Sequence, residues 1–102
     1  MGETFVPSIS AIIDGKKYDS DNATLIASDR YFDGSNWERR GRNTFLMKTG
    51  KGAFFIIRYT QWQGERTHIE VVSKEYAMEL YEQLPEQEVS YFDAFGVEPA
   101  EA

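Results

Sequence analysis

His68 is the sole imidazole of this 102-residue chain, and Glu70 follows two positions later. On a strand that spacing puts both side chains on one face, where a carboxylate can orient an imidazole for general acid–base work. Such a base needs a nucleophile or a substrate proton. No Gly-x-Ser-x-Gly elbow surrounds a serine, and there is no cysteine to supply a thiolate. The 17 Asp and Glu residues would allow paired-carboxylate chemistry, but the sequence sets no pair apart. His68 reads first as an outward histidine with a carboxylate neighbour. The expectation is a protein that is not an enzyme.

Metal chemistry finds no better footing. Ligand clusters are built from His, Cys and carboxylates at fixed spacing, and there is no His-x-x-x-His pair and no EF-hand loop. Neither a metal nor another cofactor is expected. Gly50-Lys51-Gly52 has the residue types of a phosphate loop. A P-loop, however, runs GxxxxGK[S/T] from a strand into a helix, and these glycines separate two β-rich runs. They read as a hairpin turn.

What remains is charge and aromatic character. The formal net charge of −6 hides a pattern. Residues 1–29 carry two basic against five acidic side chains, residues 30–66 eight against three, and residues 67–102 one against nine. Two candidate surfaces follow. One is an acidic face of Glu75, Glu79, Glu82 and Glu86, continued by Glu88, suited to a basic groove on a nucleic-acid enzyme. The other is a basic aromatic patch of Trp37, Arg39, Arg40, Arg42 and Trp62, beside Tyr31 and Phe32. Arginine and aromatic side chains are the usual anchors of protein interfaces. With Lys48, Lys51, Arg58, Arg66, Phe45 and Tyr59, the patch also has the make-up of a sheet that stacks single-stranded nucleic acid, although the overall negative charge opposes a polyanion. Lys48, Lys51 and Arg58 either pair with the protein's own acidic helix or face a partner. Sequence leaves both open.

The elements that must position these groups are organised around Asn43–Thr60, the densest apolar run, cut once by Gly50-Lys51-Gly52. Phe45 and Met47 alternate with Leu46 and Lys48; Phe55, Ile57 and Tyr59 alternate with Phe54, Ile56 and Arg58. Both faces are largely apolar, so this hairpin should lie centrally and be covered on both sides. The strand into it is expected to begin at Trp37, after a turn at Asp33–Asn36, with a bulge at Gly41. Ser8–Ile13 and Lys16–Tyr18 flank Asp14-Gly15, a type I′ hairpin signal. Asp19-Ser20-Asp21 offers N-caps, and Ala23, Ile26 and Ala27 have helical spacing, which predicts a short helix. Thr67–Val72 should be a strand with Ile69 and Val71 inward and His68 and Glu70 outward. Ser73 caps a helix whose Ala77, Leu80, Tyr81 and Leu84 form one stripe, ended by Pro85. Glu86–Phe95 predicts a second short helix docking Val89, Phe92 and Phe95, terminated by Gly96.

The sum is one α+β domain over residues 1–96: an antiparallel sheet of four to five strands, with a C-terminal helix and one or two short helices on one face, then a loose tail at 97–102. The N-terminus has no basic segment followed by an apolar core, and Val6 stands where myristoylation needs Ser or Thr. No apolar run approaches a membrane span. A cytoplasmic protein is expected.

Two stretches resemble a family of small, largely uncharacterised proteins of phages and mobile elements of Gram-positive bacteria. Lys17-Tyr18-Asp19-Ser20-Asp21-Asn22-Ala23-Thr24-Leu25-Ile26-Ala27 is similar to the family's K-Y-D-T-x-x-A-x-x-I-A, with Ser20 in place of Thr. Thr44–Phe55 resembles its L-Y-R-T-K-K-G-x-W-F-L hairpin, with Met47-Lys48-Thr49-Gly50 in place of Tyr-Arg-Thr-Lys, followed by a helix opening as at Ser73-Lys74-Glu75. With that helix the likeness covers roughly half the chain. The resemblance implies a genomic setting rich in inhibitors of host defence, anti-CRISPR proteins among them, and it implies no catalytic residue. The expected function is a non-enzymatic protein-binding inhibitor in the host cytoplasm, whose partner is a host protein or protein–nucleic-acid complex. The alternative is a small regulator binding RNA or single-stranded DNA through the basic aromatic sheet. A homodimer through hairpin edges is a further expectation.

Overall fold

The computed structural model describes residues 6–29, 42–60 and 62–102. Seven strands and two helices follow in order: β1 (Ser10–Ile13), β2 (Lys16–Asp19), β3 (Thr24–Ser28), β4 (Arg42–Lys48), β5 (Phe54–Thr60), β6 (His68–Val72), α1 (Lys74–Gln83), β7 (Glu86–Gln87) and α2 (Tyr91–Phe95). An antiparallel five-stranded sheet has the order β6-β5-β4-β3-β7, and β1-β2 forms a separate two-stranded sheet. This is the expected α+β class.

Strand alternation builds two cores on one sheet. Leu46, Phe54 and Ile56 point to one face, where Ala77, Leu80, Tyr81 and Leu84 of α1 and its C-cap meet Ala94 and Phe95 of α2. Phe45, Met47, Phe55, Ile57 and Ile69 point to the other, covered by Tyr18, Ile9, Ala11 and Ile13 of the first hairpin and the segment before it. The central hairpin is thus covered on both sides, as its two apolar faces require. The cover on the second face is the β1-β2 hairpin, held at its base by Ser20, whose hydroxyl donates to the Pro7 carbonyl at 2.7 Å and accepts from the Ile9 N–H at 2.9 Å.

The turns follow their residues. Asp14 and Gly15 have φ of 53° and 76°, the type I′ geometry. In the β4-β5 turn Thr49 N–H donates to the Ala53 carbonyl and Gly52 N–H to that of Thr49, with Gly52 at φ 93°, a three-residue loop closed by a glycine bulge. Ser73 caps α1 by accepting from the Tyr76 N–H, and Gly96 ends α2 in the left-handed region.

Three expectations are corrected. Ala23–Ala27 is not helical. Asp19 caps only a single 3₁₀ turn at Ser20–Asn22, and the chain then enters β3. A bulge between Leu25 and Ala27 shifts the register. Ala23 and Leu25 therefore pack on the hairpin side while Ile26 and Ala27 join the helix side, and the broken alternation mimics helical spacing. Residues 86–90 are not helical either: Glu86 and Gln87 pair with β3, and α2 starts only after its cap, Ser90. That shift docks Tyr91 and Phe95 and leaves Phe92 50% exposed. Val71 faces the hairpin side but sits on the sheet's edge strand and is 43% exposed rather than inward. The predicted turn at Asp33–Asn36, the strand start at Trp37 and the bulge at Gly41 lie outside the described residues.

Candidate functional site

α1 sorts its residues into two sides. The Ala77, Leu80, Tyr81 stripe is buried, which leaves Glu75, Glu79 and Glu82 exposed on the outer surface. Spaced i, i+4 and i+7, they follow one line along two turns. Glu86, on β7, is half-buried and begins the next element. None of these four carboxylates forms an ion pair among the described residues. The arrangement works against the helix itself. Like charges one turn apart repel, each pair by roughly 0.2–0.5 kcal/mol. Glu82 also stands near the C-terminal end, where the helix dipole favours cations, and the last turn has no basic residue.

The basic residues of the central hairpin are not spent on this face. Lys48 donates to the Ala94 carbonyl at 2.9 Å, and its Nζ lies 5.7 Å from the Phe54 ring centroid. Arg58 Nε reaches Glu70 Oε1 and its Nη1 reaches Thr44 Oγ1, both at 3.4 Å. Lys51 is exposed at the β4-β5 turn without an ion pair among the described residues.

Of the basic aromatic patch, Trp37, Arg39 and Arg40, with Tyr31 and Phe32, lie outside the described residues. Arg42 opens β4 in the backbone, and its side chain lies outside the description. Trp62 is 50% exposed in the turn after β5. Phe45 is fully buried and Tyr59 packs edge-on against it at 6.3 Å. Phe45 therefore cannot stack a nucleobase, and the platform imagined on the sheet loses that member.

His68 and Glu70 do meet. His68 Nε2 lies 2.8 Å from Glu70 Oε2, and Nδ1 lies 3.1 Å from the Arg66 carbonyl. Both ring nitrogens face acceptors, and only the imidazolium can donate to both. The hydrogen bond to Glu70, then that to the Arg66 carbonyl, raises the His68 pKa above its ordinary value. The same hydrogen bond lowers that of Glu70, with Arg58 adding to it. Both shifts favour the protonated imidazole beside the ionised carboxylate. Around it a cavity of about 540 Å³ is lined by Asp29, Thr44, Arg58, Thr60, Glu65 and His68, among others. Asp29 was not foreseen: its carboxylate accepts from the Thr44 N–H at 2.8 Å and the Asn43 side-chain amide at 3.3 Å, tying the end of β3 to β4.

No group of three or more His, Cys, Asp or Glu among the described residues is arranged to hold a metal ion, and no helix there is long and apolar enough to cross a membrane. Comparison of the chain with protein-family models, with curated proteins and with solved structures yields no match.

Proposed function

We propose that this protein is a non-enzymatic binding module that occupies a basic surface of a partner protein through the outer face of α1. The observation that carries this reading is the row Glu75, Glu79, Glu82: exposed, unpaired among the described residues, and set where repulsion and the helix dipole both oppose it. A helix selected only for its own stability would carry Lys or Arg in its last turn. The resemblance to phage and mobile-element proteins extends the proposal to the partner, a host complex that handles nucleic acid, with the carboxylates standing in for phosphates. The act would be inhibition by occupancy in the host cytoplasm.

The test is charge reversal at Glu79→Lys with Glu82→Lys. Both positions face solvent and lysine is a good helix former, so circular dichroism should be unchanged. Immobilised wild-type protein should retain a basic nucleic-acid-binding protein from a bacterial host lysate, and excess duplex DNA should displace it. The reversed variant should lose it. Retention of the same protein by both forms would overturn the proposal.

A further inference from the structure

We propose that the groove between the tips of the β1-β2 and β4-β5 hairpins binds a small polyphosphate-bearing anion. The two hairpins converge on a cavity of about 530 Å³ whose lining includes Lys16, Lys17, Tyr18, Asp19, Asn22 and Lys51. That is the size range of small-molecule sites. Lys16 and Lys17 from one hairpin and Lys51 from the other are among its lining residues, and none of the three forms an ion pair among the described residues. Of the nearby carboxylates, Asp19 accepts from the Asp21 N–H and the Asn22 side chain, and Asp21 accepts from the Ser8 hydroxyl, while Asp14 is exposed in the β1-β2 turn. The lining thus carries three lysines against one aspartate, Asp19.

A second observation points to a ligand independently. Tyr18 lines the groove and is only 7% exposed, with its ring edge-on to Phe55 at 5.6 Å. Its hydroxyl makes no hydrogen bond among the described residues. A ligand oxygen in the groove would give this O–H an acceptor. In the β4-β5 turn the successive N–H groups of Gly50 and Lys51 also have no protein acceptor. Unbonded consecutive amides beside lysines are a recurrent way to hold phosphate oxygens.

Size and charge select among anions. The net charge of −6 opposes the approach of a long polyanion, whereas a compact ligand feels mainly the three lysines at short range. A tripolyphosphate group, free or carried by a nucleotide, matches three cations better than a single carboxylate or a nucleic-acid strand.

Calorimetric titration of the full chain at low salt with inorganic tripolyphosphate, ATP, adenosine and a 20-nucleotide single strand tests this. Tripolyphosphate should bind saturably at one site and adenosine should not. ATP at equal affinity identifies a phosphate-only site; ATP tenfold tighter identifies a nucleotide site. Lys16→Ala with Lys51→Ala should weaken binding at least tenfold. Tyr18→Phe, which keeps the ring against Phe55, should weaken it several-fold with no loss of thermal stability. Glu79→Lys with Glu82→Lys should leave it unchanged, which separates this site from the one on α1. No saturable tripolyphosphate binding, affinity indifferent to both lysines, or a single strand binding as tightly as tripolyphosphate would each overturn the proposal.

Discussion

The helix-covered and hairpin-covered faces of the sheet do the same work for the core and different work at the surface. Each buries one set of alternating residues from β4 and β5 under a cover with its own surface charge: carboxylates on α1, and Lys16 and Lys17 beside Asp14 and Asp19 on β1-β2. The covers also differ in kind. α1 and α2 bring an aromatic cluster in which Tyr81 lies edge-on to both Tyr91 and Phe95. The β1-β2 hairpin brings one large ring, Tyr18, and smaller aliphatic groups. The α1 face carries carboxylates of one sign, whereas the β1-β2 hairpin mixes Lys16 and Lys17 with Asp14 and Asp19.

The largest effects should come from breaking either core. Phe55 and Ile56 are adjacent and fully buried, yet they belong to opposite faces. Phe55→Ala should cost about 3–5 kcal/mol and Ile56→Ala about 2–5 kcal/mol, enough to unfold much of a domain whose total stability is on the order of 5–15 kcal/mol. Milder truncations sharpen the contrast. Ile56→Val and Ile57→Val should each cost about 0.5–1.5 kcal/mol. Their double variant should be additive within about 0.5 kcal/mol, because side chains on opposite faces share no partners. Denaturant unfolding of the four proteins checks this; a larger coupling would mean that the two layers are not independent.

A smaller effect separates the covers. Ser73 accepts from the Tyr76 N–H at 3.1 Å and fixes the start of α1. Ser73→Ala should cost about 1 kcal/mol, read as a lower denaturation midpoint with an unchanged slope. Tripolyphosphate binding at the hairpin tips should not respond, since α1 packs on the other face. A matching loss there would show that the faces communicate.

The division between legible and illegible follows the same lines. Alternation in Phe45–Lys48 and Phe54–Arg58 announced a strand pair buried on both sides, because both of its faces are apolar. Asp14-Gly15 and Ser73 announced a turn and a cap because their chemistry is local. The row on α1 was legible because helical spacing alone places Glu75, Glu79 and Glu82 together. β3 was misread because its bulge lets Ala23 and Leu25 face one layer and Ile26 and Ala27 the other, a pattern that a single period cannot describe. A helix running from Glu86 would turn Phe92 inward; the cap at Ser90 starts it later and turns Tyr91 inward instead. The shared groove lined by Lys16, Lys17 and Lys51 has no sequence signal, since it depends on how one hairpin lies over another.

The smallest effect concerns the His68–Glu70 pair. His68 has a raised pKa, so its stabilisation is complete below the ordinary value of about 6.5 and fades as pH rises through the folded-state value. Glu70 has a lowered pKa, so its stabilisation is present above about 4.5 and fades as pH falls through the folded-state value. The pair contributes most between those limits. Both side chains are about half exposed, so solvent screening holds the contribution below about 1 kcal/mol. His68→Gln should therefore be less stable than wild type near pH 5.5, by an amount that shrinks steadily toward pH 8 and is reduced in high salt. Chemical denaturation of both proteins across that range measures it. A difference that stays constant from pH 5 to 9 would mean that His68 acts here through packing rather than through its proton.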